Sequence, residues 1–266
     1  SNTARGIGKL GGNASYLGVV GHDDFGSHFE LEMTSCNVKA NLIKSKNYTG
    51  NASTFISKDG ERTFATYLGA ALDLSPEHIS ESPFSDSDIL HIEGYLVQDH
   101  DLILRAIELA KEAGLQICLD MASYNIVAEE FDFFSLLINK YVDILFANEE
   151  EAKAFTGKEP EEALEILAGM SSIAIVKIGS KGSLIRKGTE IIRASAIPVK
   201  KVVDTTGAGD CYAAGFLYGL TSGYSLEKCA KIGSVLSGNV IQVVGAQMTK
   251  PRWNEIKLNI DAMLAE

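Results

Sequence analysis

A chain of 266 residues, 45% hydrophobic and 22% charged, is long enough to bury a large core, as one α/β domain or as a domain with a small appendage. Its formal net charge of −11 argues against nucleic acid as the partner, because a phosphate backbone calls for a basic face. A nucleotide is not excluded, since magnesium and a few local donors can meet its charge. No run approaches the length of a membrane span and no basic-then-apolar leader opens the chain, so a soluble, cytoplasmic protein with no membrane partner is expected.

Residues 1–10, which lack an initiator methionine, read as a helix already under way, with Asn2 suited to its N-cap. Residues 14–20 are apolar and rich in strand formers, and Gly21-His22-Asp23-Asp24-Phe25-Gly26 makes a turn into a helix over 27–35. Residues 41–46, 52–58 and 62–67 then read as short strands, the last two joined at Asp59-Gly60, a strong hairpin signal. A small sheet that interrupts a strand-helix alternation suits a lid over a substrate cleft. The chain thereby divides into a lid over 40–70 and a catalytic α/β domain over 1–39 and 71–266. Arg62 reads either as a ligand contact or as a solvated hairpin arginine. Phe55, Phe64 and Tyr67 give the small sheet an apolar face, and with its open edges this predicts a homodimer through the lid.

Beyond Pro83 the pattern turns regular, with strands over 88–93, 115–119, 143–147 and 173–178 and helices over 99–113 and 129–140. Such alternation predicts a parallel sheet covered on both faces, with ligands beyond the carboxyl ends of the strands. Gly94-Tyr95, Asp120 and Asn148 stand at such ends. Asn148-Glu149-Glu150-Glu151-Ala152 has the form of an Asn N-cap followed by first-turn acids. After the strand that ends near Lys177 comes a turn, Gly179-Ser180-Lys181-Gly182-Ser183, and the chain closes with helices over 226–243 and 251–264.

One stretch organises the rest. A strand-like segment over 197–203 runs into Asp204-Thr205-Thr206-Gly207-Ala208-Gly209-Asp210 and then into a helix over 211–220. A glycine-rich turn that opens a helix presents free backbone amides, and the amides near Ala208, Gly209 and Asp210 can donate to developing negative charge. Asp210 then reads either as an early-helix acid complementing the macrodipole or as a base that takes a proton from an attacking hydroxyl. Cys211 beside it is a small residue at a helix start or an activated thiol. The four cysteines form no CxxC pair, which argues for reduced thiols.

Asp204-Thr-Thr-Gly-Ala-Gly-Asp210-x-x-x-Ala214-Gly215-Phe216-Leu217 resembles the C-terminal signature of the ribokinase-like family, the PfkB carbohydrate kinases. Asn2-x-Ala4 with Gly11 and Gly21 fits the family's N-terminal signature without its preceding glycine pair. The G-x-D-x-F-G string at Gly21, N-x-x-E at Asn148 and G-x-x-G at Gly179 follow in the family's order, so the resemblance covers nearly the whole chain. It implies a three-layer αβα sandwich with a mostly parallel central sheet and a small β-sheet lid, from which an N-terminal strand is missing. It also implies an ATP-dependent, magnesium-requiring kinase that phosphorylates a hydroxyl of a sugar or nucleoside.

By that resemblance Asp210 is the catalytic base and also contacts the acceptor, with Gly207, Ala208 and Gly209 forming the anion hole. Glu151 would orient the water shell of magnesium, and Asn148 would contact the phosphate or metal shell. Gly179, Gly182, Thr206 and Gly245 fall on the nucleotide side, and in some relatives a monovalent cation (K+) site involves Asp204 and Thr206. Asn2 and Arg62 would meet the acceptor. Lys177 stands where many relatives have threonine and could meet a phosphate instead. Gly60-Glu61-Arg62-Thr63 and Leu68-Gly69-Ala70-Ala71 look like the lid return of adenosine-kinase-like members, and Phe64, Tyr67 and Leu68 suit a flat base. Two other classes compare poorly. A nicotinamide-dependent oxidoreductase needs an early GxGxxG, which is absent, and a catalytically silent binding protein of the same fold would not need Asp210.

Overall fold

Six strands form the central sheet of the computed structural model, which describes residues 1–56 and 62–265, without the side chains of 56 and 62–64. The strands β5 (Ile89–Glu93), β6 (Gln116–Asp120), β7 (Ile144–Asn148) and β8 (Ile173–Lys177) run parallel, and β9 (Ser183–Lys187) and β10 (Glu190–Ala194) continue the sheet antiparallel. β6, β7 and β8 are buried apolar runs, as strands covered on both faces must be. Successive side chains alternate between the faces. Leu119, Leu145 and Val176 join a core with α3 (His100–Glu112), α5 (Phe131–Lys140), α6 (Glu149–Thr156) and α7 (Pro160–Ala168). Ile144, Phe146 and Ile175 join another with Tyr212 and Phe216 of α8 (Ala208–Thr221) and Ala230 of α9 (Leu226–Val240). The expected αβα sandwich and mostly parallel sheet are therefore present.

The buried helix α8 lies flush on α9. A Cβ at Gly215 would sit 2.7 Å from the backbone nitrogen of Gly233, so glycine is what lets the two helices approach. On its other flank α8 carries α1 (Asn2–Leu10), which packs Leu10 into a third core with Cys211, Ala214 and Trp253 of α10 (Lys250–Ala265).

Several elements differ from the sequence reading. Residues 197–203 form no strand: Pro198 has no amide to give a ladder, and the amides of Val203 and Asp204 instead donate to Ile241 O at 2.8 and 3.2 Å. The hairpin β9–β10, the short helix α4 (Tyr124–Glu129) and α7 are additional to the predicted set. The strand predicted over 41–46 is β2 (Val38–Ser45), and it pairs in parallel with β1 (Ala14–Gly21), Ala14 opposite Val38. β3 (Asn51–Ile56) and β4 (Arg62–Tyr67) form a two-stranded antiparallel sheet of their own. Its register pairs Phe55 with Thr63 and Asn51 with Tyr67, whereas Phe64 pairs with Thr54, so the three aromatic residues do not share one parity. The Asp59-Gly60 turn lies outside the described residues.

The Gly21 to Gly26 string has a structural explanation. Asp23 caps α2 (Asp24–Ser35) through Gly26 N at 2.8 Å and accepts from Thr49 N and Thr49 Oγ1 at 2.7 and 2.6 Å. Thr49 Oγ1 in turn accepts from Gly21 N at 2.8 Å, tying the end of β1 to the chain that enters β3. No helix among the described residues is long and apolar enough to cross a membrane.

Candidate active site

The carboxyl ends of β5, β6, β7 and β8 and the first turn of α8 converge on one polar centre. Glu93 closes β5 and stands in register with Asp120 at the end of β6; Asn148 closes β7 in register with Lys177 at the end of β8. Alternation puts Glu93, Asp120 and Lys177 on the α8 side of the sheet, the side on which Asp210 begins its helix.

Gly207, at φ 75°, is the N-cap of α8 and offers no side chain to the first-turn amides, of which Ala208 N donates to Thr205 O at 3.2 Å. A Cβ there would lie 2.8 Å from Ala246 Cβ and 3.5 Å from Asn2 Nδ2. Asn2 Nδ2 donates to Asp210 Oδ2 at 2.7 Å, and the Arg5 guanidinium donates to Asn2 Oδ1, which fixes which way the Asn2 amide faces. Arg5 is anchored by Glu32 at 2.5 Å, and Gln247 also donates to Glu32. Burial raises the Asp210 carboxyl above the usual range, and the nearby Glu93 charge adds to this, while the Asn2 hydrogen bond works against it. A desolvated carboxylate of raised proton affinity in the first turn of a helix can accept a proton from a hydroxyl placed beside it. The Cys211 thiol is pushed up to about 12, by burial first and by Asp210 second, so it is a packing residue and no nucleophile.

Glu93 is a site residue that sequence reasoning missed, although the adjoining Gly94-Tyr95 was singled out. Its carboxylate accepts from Thr3 Oγ1 at 3.1 Å, and His91 Nε2 lies 3.6 Å away. Burial alone would raise the Glu93 carboxyl, but His91, the amino-terminal charge and the Thr3 hydrogen bond together outweigh it and hold it down at about 2. Tyr95 turns to donate to Ala122 O at 3.1 Å.

On the other side of the centre, Lys177 Nζ donates to Asp120 Oδ2 at 2.8 Å, with both side chains largely buried. Burial works against the ammonium's charge, but Asp120, then Glu151 and Asp210, outweigh it and raise the Lys177 pKa. Asn148 and Glu151 realise the capping box: Asn148 Oδ1 accepts from Glu151 N at 2.9 Å, while Glu151 accepts from Asn148 N and Nδ2 at 2.7 and 2.6 Å. Glu151 is only 2% exposed, and that burial pushes its carboxyl up to about 7, against the pull of Lys177.

That shift carries a stability prediction. A carboxyl raised from 4.5 to about 7 binds its proton more tightly in the folded state, so this group's contribution to stability falls as pH rises through that window. Glu151→Gln removes the titration and keeps the side chain's shape. Between pH 5 and pH 8 the wild type should lose about 2 kcal/mol more stability than the variant, at ~1.4 kcal/mol per pKa unit. Urea midpoints at the two pH values check this, and equal losses would contradict it.

The remaining predicted positions fall nearby. Asp204 is buried and joins two loops, Oδ1 accepting from Thr206 N at 2.7 Å and Oδ2 from Gly245 N at 2.8 Å, hydrogen bonds that a buried carboxylate requires. Gly179 has φ 55° and borders Glu149 of α6. Gly182 answers to packing, since a Cβ there would lie 1.9 Å from Ala194 O on β10. The side chain of Arg62 lies outside the described residues. Among the described residues no three His, Cys, Asp or Glu side chains gather as a metal-ligand set, so a metal ion here would depend on water and on oxygens of a bound substrate.

The sequence matches the pfkB family carbohydrate kinase domain over residues 1–253. It is 30% identical over 260 residues to a nucleoside kinase of Methanocaldococcus jannaschii, covering 96% of this chain and 82% of that protein. The structure superposes with TM-score 0.91 on a probable sugar kinase from Rhizobium etli, at 35% identity and over 97% of this chain and 80% of that one. An adenosine kinase from Sinorhizobium meliloti gives TM-score 0.90, also at 35% identity, over 97% of this chain and 81% of that one. Fold and sequence are thus shared over nearly the whole chain, which belongs to the pfkB family of carbohydrate kinases and is a sugar or nucleoside kinase.

Proposed function

We propose that the protein transfers the γ-phosphoryl group of ATP, taken as its magnesium complex, to a primary hydroxyl of a nucleoside, adenosine first among them. The observation that carries this reading is the placement of Asp210, half-buried and raised in proton affinity, in the first turn of α8, behind an N-cap glycine that brings no side chain to that turn. Asp210 binds the acceptor hydroxyl and takes its proton as the oxygen attacks phosphorus in line. Asn2 holds the Asp210 carboxylate in place and extends toward the acceptor. The amides of Ala208, Gly209 and Asp210 meet the charge that develops on the transferred group, and the Lys177 ammonium adds to them. Magnesium, when bound with ATP, offsets phosphate charge; Glu151, with Asn148, would hold its water shell from the rim of α6. Gly179, Thr206 and Gly245 border the nucleotide side.

The lid lies within residues 40–70 and the catalytic domain comprises the rest. Phe55, Tyr67 and Leu68, on and just after β3–β4, are 62, 50 and 51% exposed, an apolar surface that suits a flat base or a second lid. A homodimer through this sheet follows; the mass of the protein in solution checks it, and a monomer at assay concentration would remove it. A furanose sugar is the second reading, favoured by the probable sugar kinase of Rhizobium etli among the similar structures. Competition kinetics decide between the two. Adenosine should be phosphorylated and should inhibit transfer to ribose. If it does neither at millimolar concentration, the nucleoside reading is wrong.

A further inference from the structure

We propose that Asp120 is a positioning residue for phosphoryl transfer: it holds the Lys177 ammonium over the first turn of α8, where the transferred group would sit. The inference rests on the kinase reading above and adds a residue to it. Asp120 and Lys177 stand on β6 and β8, one strand apart, so their 2.8 Å ion pair spans β7. Beneath it lies Phe146, the register partner of Asp120, with Lys177 Nζ 6.0 Å from the ring centroid. The other oxygen, Asp120 Oδ1, accepts from Ala122 N at 3.1 Å, and Ala122 has φ 61°, a left-handed conformation unusual for a residue with a side chain. The carboxylate is therefore fixed at both ends, and the flexible lysine takes its direction from it.

The direction is toward the helix amides. A Cβ at Gly209 would lie 3.3 Å from Lys177 Nζ, so the ammonium occupies the space beside the second glycine of the turn. Three carboxylates, the buried Asp120 on β6 and Glu151 on α6 and the half-buried Asp210 on α8, act on this one cation. Without Asp120, Lys177 would be drawn to the other two. Pairing with Asp210 would neutralise the group proposed to take the proton. Asp120 thus does two things through Lys177: it places a positive charge beside the phosphoryl position and keeps that charge off the base.

Asp120→Asn keeps the shape and removes the charge. Measured per mole of folded enzyme, kcat should fall by up to about a hundredfold, the scale of a group displaced by about 1 Å. The KM for ATP should not rise, because one negative charge has left a site that takes up a polyanion. In the Lys177→Thr background, itself lowered in kcat, Asp120→Asn should cost little more, since there is no ammonium left to place. A loss of the same size in both backgrounds, or none in either, would overturn the proposal. Should Asp120→Asn fail to fold, Asp120→Glu serves instead: it keeps the charge but moves it by one methylene, and should lower kcat per mole of folded enzyme. Wild-type kcat in that variant also overturns the proposal. Wild-type kcat in Lys177→Thr alone would remove the lysine's phosphate role, whereas near-normal turnover in Asp210→Asn would sink the proposed base, so the two failures are distinguishable.

Discussion

Asp210→Asn is expected to lower kcat by about a thousandfold, within the range that a positioned general base contributes. The substitution leaves the Asn2 contact a possible acceptor oxygen and keeps the volume at the start of α8, so fold and ATP affinity should stay close to wild type. Steady-state kinetics with the acceptor saturating, alongside binding of a non-hydrolysable ATP analogue, separate the two effects. The raised proton affinity of Asp210 gives the loss its physical basis. Burial and the Glu93 charge make the carboxylate a better proton acceptor than one in water. An amide there cannot accept the hydroxyl proton at all. A variant with near wild-type turnover would mean that the proton leaves by another route.

The second large effect is expected at Gly207. Gly207→Ala would place a Cβ 2.8 Å from Ala246 Cβ in a residue that must hold φ 75°. One of the two has to move, and either movement re-aims the first amides of α8. A loss of about a hundredfold in kcat follows, comparable to removal of one oxyanion-hole donor. Gly223, just beyond the same helix, supplies the control: it has φ 77° and nothing within 4 Å of its Cβ position. Gly223→Ala should therefore lower stability by about 1 kcal/mol through backbone conformation alone and leave kcat intact. Equal kinetic effects at the two glycines would contradict an anion site at Gly207.

The glycine turn was legible because its chemistry is local: two glycines, a helix start and an acid fall within seven residues. The same holds for Asn148 and Glu151, whose cap follows from their spacing, although the cap and a metal role share one geometry and the structure realises the cap. Elsewhere local pattern misled. Residues 197–203 are rich in β-branched side chains and read as a strand, yet Pro198 and the pull of Ile241 O make them an extended connector. The hairpin β9–β10 went unassigned although Gly188, at φ 57° between Lys187 and Glu190, is the turn signal that could have found it. β2 was assigned to the lid because nothing in its own residues tells a strand which neighbour it will pair with.

Side-chain partners distant in sequence had no local signal at all. Thr3 meets Glu93 across 90 positions, Lys177 meets Asp120 across 57, and Gln247 meets Glu32 across 215. Glu93 at a strand end and Lys177 in place of a threonine were visible as residues, but only the folded sheet brings their charges together with Asp120 and Asp210. The electrostatic character of the site, one buried ammonium among several desolvated carboxylates, is thus a property of the fold. The roles drawn from single motifs did not contain it.

The arrangement of base, acceptor and phosphoryl group is tested most directly by a crystal structure of the full chain with adenosine and a non-hydrolysable ATP analogue. The account predicts the acceptor's primary hydroxyl at about 2.6–3.2 Å from an Asp210 oxygen, with the terminal phosphate against the amides of Ala208, Gly209 and Asp210 and beside Lys177. An acceptor hydroxyl bound away from Asp210, or a terminal phosphate held outside the first turn of α8, would contradict it.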